Sequence, residues 1–202
     1  MKILALELSS ARGSLTWREN NAGVERDWPN ERKNSGAFFE NLADVRRKLG
    51  LPDKIIVGLG PGSYAGTRIA ISAAIGLRAA SGAELIGYPS ISALESDQEE
   101  YGVIGDARRN SFFFAWIRAH HLVEGPDLFT EAELRKKLDK FEDKMPIFAS
   151  EKLPQFERAK LRYPSAGVLA QLAANMNREF AQPPLQPMYL REPHITKPKT
   201  ST

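Results

Sequence analysis

The sequence predicts an α/β protein made of two similar lobes. Its 202 residues suffice for one domain or for two small lobes packed together. The chain opens with three short β-rich segments and a helical one, and the second half starts in the same way. Each half follows the order meander, helix, strand, helix, the outline of a ribonuclease-H-like lobe with a mixed five-stranded sheet and helices. Two such lobes, as in actin-like ATPases, would divide at the acidic segment 95–100 into an N-terminal lobe of residues 1–98 and a C-terminal lobe of residues 99–202.

In the first half, apolar or alternating segments predict strands at 2–8, 13–18, 23–28, 54–59 and 84–88. A helix is expected at 34–50, with Asn34 or Ser35 as its N-cap. Its apolar positions recur at helical spacing on one face: Phe38, Leu42, Val45 and Leu49. A second helix runs from the turn at 60–63 to about residue 80, and Ser90 caps a short helix.

In the second half, strands are predicted at 102–106, 112–117 and 146–149, with a weaker one near 121–123. Thr130 and Glu133 match a capping box, which starts a helix that ends near Phe141. A last helix is predicted at 165–180 before a Pro-rich tail. Its apolar face comprises Val168, Leu169, Leu172, Met176 and Phe180.

Composition narrows the classes of function. The chain has no Cys, which excludes disulfides, Cys-ligated zinc, iron–sulfur clusters and a thiol nucleophile. The formal net charge is +3, and the basic residues are scattered rather than clustered as in dedicated nucleic-acid binders. No stretch predicts a membrane-spanning helix or a signal peptide, so we expect a cytoplasmic protein.

Residues suited to catalysis are few. The three histidines, His120, His121 and His194, show no metal-binding spacing. Glu7 and Asp106 each lie at or near the end of a lobe's first strand, where two acids facing a cleft could hold Mg²⁺ and a phosphate. The residues around them favour another interpretation, a hydrogen-bonding strand-end residue for Glu7 and a local ion pair of Asp106 with Arg108. We therefore expect no catalytic residue, no metal and no cofactor.

A glycine-rich turn precedes the second helix and leaves two interpretations open. Gly60, Pro61, Gly62 and Ser63 connect a buried strand to a helix, and Ser63 can cap that helix. On the first interpretation the turn is structural. On the second, Gly60, Gly62 and Ala65 form the G-x-G-x-x-A pattern of a nucleotide-binding loop.

The helix at 63–80 has almost no polar face between Arg68 and Arg78. A helix that is apolar all round is either buried or covered by a partner. We predict an outward stripe for partner binding that comprises Tyr64, Thr67, Arg68, Ile71 and Ile75. If that stripe faces outward, Ile71→Glu should block association and leave the fold intact. Without a partner, the same patch should form a two-fold homodimer.

Several segments together resemble the TsaB (YeaZ-like) family, whose members act in making threonylcarbamoyladenosine on tRNA. They occur in order as ILALELSS, GLGPGSYAGTRIAISAAIGLRAA, LIGYPSISALE, IGDARRNSFFFAWI and PMYLRE. The match spans about residues 2–118 and recurs at 187–192. The family's first strand commonly ends in D-T-S, where this chain has Glu7, Leu8 and Ser9.

The resemblance implies a two-lobed actin-like fold with a degenerate nucleotide cleft. It also implies a non-catalytic scaffold that pairs, through helices of its first lobe, with the catalytic TsaD-type subunit. A TsaE-type ATPase is expected to bind that pair, and contact with tRNA is expected to be indirect. The alternative from another class is an active enzyme, either an actin-like phosphotransferase or a dinucleotide-dependent enzyme that uses the turn from Gly60 to Ala65.

Overall fold

The computed structural model describes residues 1–20, 22–30, 35–141, 145–175 and 177–191. Their strands form two five-stranded sheets, and both sheets mix parallel with antiparallel neighbours. The predicted mixed five-stranded sheet is thus confirmed in each half of the chain.

The first sheet contains β1 (Lys2–Glu7), β2 (Arg12–Glu19), β3 (Ala22–Pro29), β4 (Lys54–Gly58) and β5 (Glu84–Tyr88). Its order is β3-β2-β1-β4-β5. The meander β1 to β3 is antiparallel, whereas β4 and β5 run parallel to β1. In the register, Leu6 lies opposite Leu15 on one side and Val57 on the other, so apolar side chains of three strands meet in the middle of the sheet.

Helices cover both faces of the first sheet. α1 (Gly36–Leu49) and α2 (Tyr64–Ser81) pack on the face that carries Leu4 and Leu6. α4 (Ala166–Ala173) packs on the opposite face, against Ile3 and Ala5. Because side chains alternate along a strand, burial of both faces explains why β1 is apolar at consecutive positions.

The apolar face predicted for the first helix is confirmed. Phe38, Leu42 and Val45 are buried, and Leu49 packs against the same core. Ser35 is the N-cap of α1 without a side-chain hydrogen bond, while Asn34 lies outside the described residues.

The second sheet has the order β10-β9-β6-β7-β8. Its strands are β6 (Glu100–Asp106), β7 (Phe112–Arg118), β8 (His121–Phe129), β9 (Ile147–Ala149) and β10 (Ala159–Leu161). α3 (Glu131–Asp139) packs on one face through Leu134 and Leu138. The predicted capping box is confirmed, because Thr130 accepts from the Glu133 amide and the Glu133 carboxylate accepts from the Thr130 amide.

β8 is longer than the weak strand predicted near 121–123. It continues through Gly125 and Pro126, residues that usually interrupt a strand. β8 is an edge strand, and its pairing with β7 contains register shifts, so the missing N–H of the proline is tolerated there.

The last helix is shorter than predicted. It ends at Ala173 rather than near residue 180. The Asn175 side chain accepts a hydrogen bond from the Asn177 amide, a local turn that competes with the helix. Phe180 instead packs against Tyr88, with ring centroids 5.4 Å apart.

α4 therefore belongs to the core of the first sheet although it follows residue 99 in the chain. The division at residues 98 and 99 stays a prediction. Among the helices that the structure describes, none is both long and apolar enough to cross a bilayer.

Candidate functional site

The glycine-rich turn joins β4 to α2 and packs against the end of β1. Gly60 has a φ of +90°, a conformation that favours glycine. Its N–H donates to Ser90 Oγ at 2.9 Å, and the Ser63 N–H donates to the carbonyl oxygen of Ser9 at 2.6 Å. The Ser63 hydroxyl accepts from the Gly66 amide at 3.2 Å, which confirms Ser63 as the N-cap of α2.

Two glycines allow α2 to begin close to β1. A Cβ at Gly62 would collide with the carbonyl oxygen of Ser9, and a Cβ at Gly66 would collide with that of Leu8. The amides of Gly60, Ser63 and Gly66 donate to atoms of the protein itself. Pro61 in the same turn is buried. The turn is therefore a packing element that fixes the start of α2 against β1.

The stripe predicted on α2 is divided between the core and the surface. Tyr64, Arg68 and Ile75 are exposed, Ile75 at 52%. Thr67 is 2% exposed and Ile71 is 6% exposed, so the prediction that they face outward is wrong.

The sequence does not reveal which face of α2 is buried, because the inner face consists largely of small residues. Ala70 and Ala74 are fully buried and lie over the first sheet, with Ile71 and Leu77 packed into the same core. Because these alanines are small, α2 approaches β1, β4 and β5 closely. Thr67 and Ile71 lie on the same face of the helix as the alanines, so they are buried with them.

The surface of α1 also carries an exposed apolar side chain, Phe39, beside a groove that α1 shares with α2. A groove of about 600 Å³ lies between the two helices and is lined by Phe39, Leu42, Ala43, Arg46, Arg47 and Leu77. Phe39 is 50% exposed although its neighbour Phe38 is in the core. The pair Phe38–Phe39 was the available signal in the sequence, because two adjacent side chains on a helix cannot both face the same core.

A second concave region lies between the lobes, with a volume of about 550 Å³. We call it the inter-lobe cleft. The first lobe contributes the turn after β1 and the glycine-rich turn, and the second contributes the ends of β6 and β9. Its lining includes Ser9, Ser10, Ser63, Thr67, Asp106, Arg108, Phe113, Ser150 and Glu151, together with residues 187–190.

The two predicted acids are not free to act together in this cleft. Asp106 accepts from the Arg108 guanidinium at 2.8 Å and from the Arg108 amide at 2.6 Å, which confirms the predicted local ion pair. Glu7 is 0% exposed and is not part of the lining. Its Oε1 accepts from the Ser9 amide at 2.6 Å, as predicted for a strand-end residue.

Burial controls the protonation of Glu7. Desolvation raises the pKa of this carboxyl above its ordinary value of 4.5, and hydrogen bonds with Ser9 and Ser90 offset the increase only in part. The cause is that the folded protein surrounds the group with β1, Gly58 and the Ser90 hydroxyl instead of water. The neutral acid is thus favoured relative to the unfolded chain.

We therefore predict that Glu7→Gln weakens the dependence of stability on pH. A group whose pKa is raised by folding stabilises the fold fully below pH 4.5, and that contribution is lost as the pH rises through the folded-state pKa. The glutamine amide stays neutral, so the variant should be more stable than the wild type at neutral pH. Urea unfolding between pH 4 and pH 8 measures this.

Glu133→Gln provides a control of opposite sign. A backbone hydrogen bond from Thr130 lowers the pKa of the Glu133 carboxyl, so its contribution is present above pH 4.5 and lost as the pH falls. If Glu7→Gln showed the same pH profile as the wild type, the assignment of Glu7 as a buried, proton-retaining group would be wrong.

The two histidines in the described part of the chain, His120 and His121, do not form a metal-binding group. His120 Nδ1 lies 2.8 Å from the carbonyl oxygen of Ser92, and His121 is on the exposed edge strand. Over the described ranges, no three His, Asp or Glu side chains are grouped closely enough to hold a metal ion. His194 lies outside them.

Comparison with known proteins gives a likeness in structure and none in sequence. No family model and no curated protein matches the sequence. A crystal structure described as an uncharacterized protein with similarity to the peptidase YeaZ from Pseudomonas aeruginosa matches with a TM-score of 0.75 at 21% identity. That alignment covers 94% of this chain and 99% of the other. YeaZ from P. aeruginosa matches with a TM-score of 0.68 at 20% identity, over 86% of this chain and 90% of the other.

Identities of this size show the fold alone. The two sheets, the helices on both faces of the first sheet and the near-complete alignments agree on one architecture. The chain has a YeaZ-like fold, with two α/β lobes that are each built on a mixed five-stranded sheet.

Proposed function

We propose that this protein is a TsaB-like scaffold subunit, non-catalytic in itself, that supports a TsaD-type catalytic subunit in making threonylcarbamoyladenosine on tRNA. The ordered series of segments from ILALELSS to PMYLRE and the YeaZ-like fold both support the proposal. In this scheme a TsaE-type ATPase binds the pair, and this chain contacts tRNA only indirectly.

The main structural support for binding of the TsaD-type subunit is the exposed face of α1 and α2. Phe39 and Ile75 are about half exposed, and the groove between the helices has an apolar floor that includes Leu42 and Leu77. Arg46 and Arg47 flank it. Large apolar side chains grouped on one surface and bordered by charged ones are typical of a protein–protein interface. In the free chain the same face would support the predicted homodimer.

Co-purification with the TsaD-type protein of the same organism tests the proposal. We expect an equimolar complex, and we expect Phe39→Asp to weaken it because a carboxylate replaces the exposed aromatic side chain beside the groove. Val123→Asp, at a half-exposed position on β8 in the second lobe, is the matched control and should leave the complex intact. Failure of the wild type to bind the TsaD-type protein would contradict the scaffold function.

The alternative, an active phosphotransferase or a nucleotide-binding enzyme, is tested by calorimetry with Mg-ATP. We predict no tight binding by the isolated chain, because Glu7 is enclosed, Asp106 is paired with Arg108 and three amides of the glycine-rich turn are engaged internally. A sub-micromolar dissociation constant would favour the enzyme instead.

A further inference from the structure

The segment from Pro187 to Arg191 runs along the inter-lobe cleft and contacts both lobes. We call it the strap. Residues 187–190 form one wall of the cleft. The strap has no regular secondary structure, so its position depends on the contacts of its individual residues.

Its first residues are anchored to the first lobe. The Met188 N–H donates to the carbonyl oxygen of Leu59 at 2.7 Å, and the Met188 side chain packs against the core beneath α2. The Tyr189 ring lies against Tyr64 at the start of α2, with ring centroids 5.5 Å apart. Just upstream, Leu185 is buried in the same core.

Its last residues are anchored to the second lobe. Leu190 packs against an apolar cluster in which Phe113 and Ile117 of β7 meet Ile91 and Leu94 of the first lobe. The Arg191 guanidinium donates to Ser111 Oγ at 2.6 Å, in the turn between β6 and β7. Met188 and Tyr189 thus contact the first lobe, Leu190 contacts the apolar cluster shared by the lobes, and Arg191 contacts the second lobe.

The lobes are also joined at the other end of the second sheet. The turn between β7 and β8 contacts the first lobe there, since the Tyr88 hydroxyl donates to the carbonyl oxygen of His120 at 2.8 Å. Arg178 donates to the Tyr88 hydroxyl at 2.6 Å and to the carbonyl oxygen of Ala119 at 3.0 Å. Ser111 and Ala119 lie at opposite ends of β7, so the strap and these bonds hold opposite ends of the lobe-to-lobe contact.

We propose that the strap is a latch that fixes the angle between the two lobes and keeps the inter-lobe cleft closed. Two rigid bodies joined at one end open by a hinge motion, and a second attachment at the far end prevents it. Release of Leu190 and Arg191 would leave two inter-lobe contacts as the hinge, the bonds around Tyr88 and the apolar cluster around Ile91 and Leu94. The cleft would widen on the opposite side, beside Asp106 and Ser9.

The absence of cysteine makes this directly measurable. Cysteines introduced at Ala80 in α2 and Ala132 in α3, both exposed, carry spin labels on different lobes. Double electron–electron resonance then gives the distribution of distances between the two spin labels in the full chain. We expect one narrow distribution with the strap intact, and a broader one shifted to longer distances in the variant Leu190→Ala/Arg191→Ala.

A matched control removes the same residue types elsewhere in the second lobe. Leu128→Ala/Arg135→Ala changes an exposed leucine of β8 and an arginine that pairs with Glu131 on its own helix, and it should leave the distribution unchanged. Ser111→Ala removes the acceptor of the Arg191 bond from the other lobe and should broaden the distribution in the same direction, to a smaller extent.

Circular dichroism verifies that each labelled variant is folded. If Leu190→Ala/Arg191→Ala folds and its distance distribution equals that of the parent, the strap is not a latch. If that variant does not fold, Ser111→Ala decides, because an unchanged distribution there would overturn the proposal in the same way.

Discussion

Ile71→Glu is expected to unfold the first lobe, whereas Ile75→Glu is expected to leave it folded and to weaken assembly. Ile71 is 6% exposed, in the core formed by α1, α2 and the first sheet. A carboxylate buried there without a partner costs about 4 kcal/mol or more, a large part of a total stability of about 5–15 kcal/mol. Urea unfolding followed by circular dichroism measures the difference between the two variants.

The expected result for Ile75→Glu follows from its position four residues later on the same helix. Ile75 is 52% exposed, so a charge there remains in water and changes the unfolding free energy by no more than about 0.5 kcal/mol. If α2 is the partner-binding face, association should fall by at least about tenfold, equivalent to about 1.4 kcal/mol. Analytical ultracentrifugation measures this for the homodimer and for the complex with the TsaD-type protein.

Ala132→Glu is the control for the added charge, since Ala132 is exposed on a helix of the second lobe. Normal assembly of Ile75→Glu would exclude this part of α2 from the interface. A stable, folded Ile71→Glu variant would contradict the packing of α2 on the first sheet.

The sequence predicted best those elements whose apolar residues are large and regularly spaced. Phe38, Leu42 and Val45 define the buried face of α1 by their spacing alone. The capping box at Thr130 and Glu133 is a local interaction between neighbours in the chain, so it too could be predicted without knowledge of the fold. The repeated order of strands and helices then gave the two-lobed architecture.

The failures have a common physical cause, which is that the deciding contact is distant in sequence. The inner face of α2 is marked by Ala70 and Ala74, and alanine reveals its burial only once the sheet is in place. The strap has no periodicity, and its anchors, such as Ser111, lie about 80 residues away. The environment of Glu7 depends likewise on Gly58 and Ser90, which no local pattern connects to the end of β1.

Gly58→Ala should be among the most destabilising single-methyl additions in this protein. Gly58 ends β4, next to the end of β1. A Cβ there would collide with the Glu7 carboxylate and would lie 2.6 Å from Ser90 Oγ, and both side chains are fully buried. Overpacking a filled core typically costs about 1–3 kcal/mol, and here we expect the upper part of that range because neither neighbour has free space to move into. Gly76→Ala, in the exposed part of α2, is the control for Gly58→Ala. No atom lies within 4 Å of the position that a Cβ at Gly76 would take. Because alanine has a higher helix propensity than glycine, this variant should stabilise α2 by about 0.5–1 kcal/mol.

A double-mutant cycle shows whether the cost of Gly58→Ala arises from Glu7. Glu7→Ala removes the carboxyl group that the new methyl would strike, so Gly58→Ala should be less destabilising in that background than in the wild type. Groups in direct contact couple by about 0.5–3 kcal/mol, and we expect a coupling of at least about 1 kcal/mol that favours the double variant. Urea unfolding of the four proteins at pH 7 gives this value. Additive losses would mean that the alanine methyl acts on the backbone of β4 or on Ser90, and that Gly58 is not what makes room for the buried acid at the end of β1.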